Sequence, residues 1–192
     1  MMIMVIMAIT GLALLRAVDS GNLVAGNIGF KQAAITAADS ALKDSAGFLM
    51  TGTLTADSAT DAYYATGAKV MDWTGQRTPG DTTDDVDWDG TKSGITTKAK
   101  QATFANGTQI DASGNRAYYV MHRMCDHTGS PGAVGTSCAT TNSQSAATGS
   151  TRVGTSYGQK ALTTSVQVYY RITVKVVGPR NTVSYSQAFL LI

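Results

Sequence analysis

The first fifty residues decide the architecture: MMIMVIMAITGLALL at 1–15, then RAVDSGNLVAGNIGFKQAAITAADSALKDSAGFLM at 16–50. Residues 1–15 carry no charge, and Met1, Ile3, Val5, Ile6, Leu12, Leu14 and Leu15 make them apolar on every side of a helix. A membrane span needs about 20 apolar residues, so this run supplies the greater part of one, and the helix is expected to start upstream of Met1. A secretory signal would show a basic start and a small-residue cleavage site after its apolar core. Here the apolar run passes straight into helix-compatible sequence. A buried core helix is the competing reading, and the unbroken apolarity favours a membrane or helix-bundle environment.

Beyond Arg16 the pattern becomes one-sided. Phe30, Ala34, Ala37, Ala41 and Phe48 follow at spacings of four, three, four and seven, along one helical stripe. Lys31, Gln32, Thr36, Asp39, Lys43 and Asp44 point elsewhere. Gly21, Gly26 and Gly29 interrupt the helix at about 1 kcal/mol each relative to Ala, and unwinding there on assembly is a hypothesis that continuous helical density through them in an assembled filament would reject. Arg16 and Asp19 stand three apart, a contact worth a few tenths of a kcal/mol in water that would place the helix at a membrane boundary. The expected rod is apolar all round in its first half and packs one face on its own head in its second.

The rest of the chain divides into a loop-rich αβ region at 51–115 and a sheet region at 116–192. The first is Ser, Thr, Gly and Asp with scattered aromatics, and its two tryptophans and the Tyr63–Tyr64 pair argue for packing. Residues 117–124 (AYYVMHRM) are strand formers. Val166, Val168, Tyr170, Ile172, Val174 and Val176 alternate with polar or longer residues, a period of two. Gly178-Pro179-Arg180-Asn181 reads as a turn, after which Val183, Tyr185, Phe189 and Leu191 resume the alternation with Ser184 and Ser186 opposite. This predicts an antiparallel hairpin, one face buried under the helix and one wet, hence an α+β head. Residues 139–156, nearly all Ser, Thr, Ala, Gly and Asn, read as a surface loop.

Composition narrows the function. Charged residues are 15% of the 192 and the net charge is +2, with no Lys/Arg run, so nucleic acid is not an expected partner. Cys125 and Cys138 are the only cysteines. They fit a disulfide in an exported chain; the rival is zinc held by His122, Cys125, His127 and Cys138. Asp85, Asp87 and Asp89, followed by Gly90, match the first half of a calcium loop, but Thr96 stands where the bidentate glutamate belongs. An acidic surface turn is the competing reading. No nucleophile motif, phosphate loop or haem site is present, so no enzyme and no cofactor other than this calcium is expected.

In their order along the chain these features resemble the PilX-type minor pilins of type IV pilus systems. Leu15-Arg16 is followed by Ala25-Gly26-Asn27, then Phe30-Lys31-Gln32-Ala33-Ala34 and Ala37-Ala38-Asp39-Ser40-Ala41-Leu42. The strand Tyr119-Val120-Met121-His122-Arg123-Met124-Cys125 with a second cysteine downstream is similar to the family's, as is the closing hairpin Tyr169–Val174 through Gly178–Tyr185. The match covers both ends of the chain and the middle poorly, and residues 1–15 lack the family's glutamate. The resemblance implies a pilin fold and a structural role in pilus assembly or priming. It implies other pilin subunits as partners, an inner-membrane location before assembly and an extracellular filament after it. The assembly helix would act through Met1, Ile3, Val5, Ile6, Leu12, Leu14, Leu15, Arg16 and Asp19. A filament-body pilin or secretion pseudopilin is the neighbouring reading. A membrane-tethered adhesin carrying a surface ligand through its loops is the reading from another class.

Overall fold

The computed structural model describes residues 2–51, 54–67, 71–141 and 167–192. Met1, Val166 and most of the 139–156 loop lie outside these, as do the side chains of Val5 and Ile6. The fold is α+β: one long N-terminal helix laid on a mixed sheet.

Helix α1 (Met2–Leu49) is unbroken through Gly21, Gly26 and Gly29. The interruption expected there is absent, because three separated glycines cost less than the hydrogen bonds they would forfeit. Its 48 residues make a rod of about 72 Å at 1.5 Å per residue. Only the last third packs on the head. Ala37, Ala38, Ala41, Ser45 and Leu49 are buried, with Ala34, Leu42 and Phe48 partly so. These small side chains let the helix backbone approach the sheet closely. Phe30, the expected start of the stripe, is 44% exposed, because it lies at the end of the sheet, beside Gly178 and Val183. Among the described residues no helix is long and apolar enough to cross a membrane.

The head is built on β5 (Arg116–Arg123), β6 (Tyr169–Val177) and β7 (Val183–Leu191), antiparallel neighbours in that order. The other edge of β5 is shared. The short strand β4 (Lys100–Gln101) pairs antiparallel with Tyr118 and Tyr119, and β1 (Tyr63–Tyr64) pairs parallel with Met121 and His122. The sheet is therefore mixed and not purely antiparallel. A further parallel pair, β2 (Val86–Asp87) with β3 (Thr97–Lys98), stands apart from it.

Two more expectations need correction. The face opposite the helix is covered over β5 and β6, because residues 71–99 fold across it. There Met71, Val86 and Trp88 bury Val120 in a second apolar cluster, flanked by Tyr64, Trp73, Ala99 and Tyr118. Arg171 and Lys175, read as wet, lie with their cations 5.1 Å from the Trp73 ring and 5.8 Å from the Trp88 ring. Long basic side chains can run under an aromatic layer and keep their charge stabilised by the rings.

The second correction concerns β7. The turn pairs Val177 with Val183 and so Val174 with Ser186 and Ile172 with Ala188. Directly opposed residues share a face, so Ser184, Ser186, Ala188 and Leu190 face the helix. Val183, Tyr185, Phe189 and Leu191 point to the other side, where Trp88 meets Tyr185 at 5.9 Å but Phe189 stays 59% exposed. Alternation in β6 was read with the correct face, since Val168, Tyr170, Ile172, Val174 and Val176 are all buried.

Candidate functional site

Residues 3 to 26 of α1 stand free of the head, and every described side chain from 3 to 32 is exposed. Ile3, Met4, Met7, Leu12, Leu14, Leu15, Val18, Leu23, Val24 and Ile28 present apolar surface on all sides. Fully burying one such side chain is worth about 1.5–3 kcal/mol relative to water, so this surface carries a large unrealised driving force. Contiguous exposed apolar surface on this scale marks a site of association. Two of the polar side chains on the rod bond back to the helix itself. Thr10 donates its hydroxyl hydrogen to the Met7 carbonyl and Ser20 to the Ala17 carbonyl, each at 3.0 Å. Back-bonding of this kind leaves little for water to solvate. Charge between Met2 and Phe30 is confined to Arg16 and Asp19.

The described assembly residues Ile3, Leu12, Leu14, Leu15, Arg16 and Asp19 thus lie together on one free rod. The other proposed sites lie elsewhere in the head. Cys125 and Cys138 form a disulfide with S–S 2.02 Å, so both sulfurs are spent and the zinc reading falls. His122 is also buried beneath Tyr64 and Trp73, whereas His127 faces solvent beside Asp126. The flanking backbone bonds, Asp126 N–H to Ser137 and Ala139 N–H to Met124, hold the bridge in a small ladder. Replacing both cysteines by alanine is expected to cost about 3 kcal/mol through the freed unfolded chain. It would show as a lowered melting temperature of the head with its circular dichroism unchanged.

Asp85, Asp87 and Asp89 do not converge. Asp87 is buried and accepts the Gly90 and Lys92 N–H groups; Asp89 accepts the N–H and hydroxyl of Thr91; Asp85 lies 4.0 Å from the Lys92 ammonium. Among the described residues no group of three His, Cys, Asp or Glu side chains is placed to hold a metal ion. The calcium reading gives way to the acidic turn, for a local reason. An aspartate two or three residues before a free N–H closes an Asx turn; Asp87 and Asp89 are used that way, while Asp85 lies beside Lys92.

Two residues that sequence reading passed over organise the head. Asp72 accepts N–H groups of Thr74, Gly75, Arg77 and Thr78 and the Thr74 hydroxyl. Burial pushes its carboxyl up, but these donors outweigh it and hold it down to about 2. The signal was legible, since Asp72-Trp73-Thr74-Gly75 is turn chemistry. Arg123, 1% exposed, has no carboxylate partner among the described residues; it donates to the carbonyls of Ala65, Leu54 and His127 at 3.1, 3.1 and 3.3 Å. An arginine at the end of a mostly apolar strand was its only trace.

His122 gives the head a pH dependence. Burial, and secondarily the Arg171 charge, push its imidazole down to about 3 from an ordinary 6.5. The folded state therefore stays unprotonated where the unfolded chain takes up a proton. Its contribution to stability is complete above pH 6.5 and is lost as pH falls through about 3. His122→Phe is expected to flatten that slope in urea-unfolding midpoints measured between these limits; an unchanged slope would refute the assignment.

No family model, curated protein or solved structure matches this chain, so the reading of its function rests on the free apolar rod and the head that carries it.

Proposed function

We propose that this chain is a structural subunit of a type IV pilus-like filament, of the minor-pilin class, which acts by packing helix α1 among the helices of other subunits. The observation that carries the proposal is the exposure of the apolar side chains from Ile3 to Ile28, apolar all round as far as Leu15, on a rod held by its last third to a compact head. The fold layout and the motifs of both chain ends support the pilin reading. Before assembly the apolar end is held in the inner membrane, and afterwards neighbouring helices replace lipid. Lipid and helices are both apolar, so close packing and head contacts decide the exchange.

Deletion of the coding sequence from the source cell tests this. Loss or marked reduction of surface filaments by electron microscopy, restored by the intact chain, is the expected outcome. Filaments unchanged in number, with the chain absent from them, would overturn the proposal. Normal filaments that contain the chain but no longer attach to surfaces would instead favour the adhesin reading.

A further inference from the structure

Arg16 and Asp19 are the only charges between Met2 and Phe30, on a rod whose other side chains there are apolar or uncharged. Among the described residues the ion pairs are Lys92–Asp85, Lys100–Asp61 and His127–Asp126; neither Arg16 nor Asp19 belongs to one. Whatever buries this rod must therefore meet an arginine and an aspartate at nearly one depth, or leave them only each other, at three-residue spacing on one helix, in an apolar medium. Lipid tails supply no counter-charge. A second copy of the same helix supplies both.

Resting on the filament reading above, we propose that Arg16 of one copy pairs with Asp19 of the next, and that this contact sets the axial register between neighbouring helices. The two positions are about 4.5 Å apart along the axis and about 60° apart around it. A parallel neighbour displaced by about that rise brings its Asp19 level with Arg16. Its own Arg16 is then free to pair with a third copy. Such a contact is head-to-tail and does not close on itself, so it propagates a filament. The apolar surface supplies adhesion without direction, and the single pair of charges supplies the offset.

Charge exchange in the full chain tests this. Arg16→Asp leaves two acidic positions on the rod, and Asp19→Arg leaves two basic ones. Each variant alone is expected to need about a hundredfold higher concentration to assemble, because like charges are forced together in an apolar setting. Mixed in equal amounts, the two are expected to co-assemble near the parent's threshold, a rescue that a contact within one helix would not give. Arg16→Cys and Asp19→Cys chains, mixed and oxidised, are expected to yield a crosslinked heterodimer. No free native cysteine among the described residues competes. Assembly of both reversed variants at the parent's threshold, or no rescue and no crosslink on mixing, would overturn the pairing and leave the filament reading standing. A parent chain that stays monomeric alone and also fails to enter filaments with the other subunits would remove both.

Discussion

Replacing Arg123 by methionine is expected to cost the head about 3–5 kcal/mol, the largest loss of any single head substitution. The guanidinium is buried and serves three backbone carbonyls, those of Leu54, Ala65 and His127. Methionine fills much of the space but donates nothing. A buried acceptor left without a partner costs about 1–3 kcal/mol, and three are stranded at once. The damage is also topological. Leu54 follows the end of α1, Ala65 follows β1, and His127 lies in the disulfide loop, so one side chain ties three separate segments to β5. Arg123→Lys keeps the charge but not the planar fork, and is expected to lose about half as much. Urea unfolding with an unchanged denaturant slope is the measurement. A shift below about 1 kcal/mol for the methionine variant would show that water or backbone movement replaces the guanidinium.

The second large effect lies on the rod. Leu15→Asp is expected to weaken self-association about a hundredfold or more while the head keeps its stability. Leu15 is 66% exposed in the single chain, so the substitution removes no contact there. In an assembly it would exchange an apolar contact for an unpaired carboxylate in a dry interface, a cost of several kcal/mol. Val134→Asp, on the fully exposed disulfide loop, is the matched control and is expected to change nothing. Sedimentation velocity reads both, with the head's melting temperature as the check on folding. Equal weakening by the two variants would show that net charge, and not the helix surface, governs association.

What the chain's letters disclosed, and what they withheld, follows from the range of the forces involved. The long helix was legible because uncharged residues at 1–15 and the alanine stripe at 34–41 are local patterns with helical period. The β6 alternation was legible for the same reason, with period two. The face of β7 was not. Its apolar residues occupy odd positions, and only the five-residue connection from Gly178 to Thr182 decides which parity lies under the helix. Nor was the outer layer legible, because Trp73 and Trp88 reach Arg171, Lys175 and Tyr185 across about a hundred residues of chain. The parallel pairing of β1 with β5 is likewise non-local. At the candidate sites the disulfide was readable from composition. The fate of Asp85, Asp87 and Asp89 was not, since a metal loop and a run of Asx turns share the same letters and differ only in where the carboxylates aim.

The most direct test is a cryo-electron microscopy map of filaments assembled from the full chain together with the other filament subunits of its source cell, after transfer from detergent to aqueous buffer. The expected result is a filament whose central density includes the apolar rod of this chain, with its disulfide-bonded head outside. Filaments that exclude the chain, leaving it as single molecules with the rod surrounded by solvent, would contradict it.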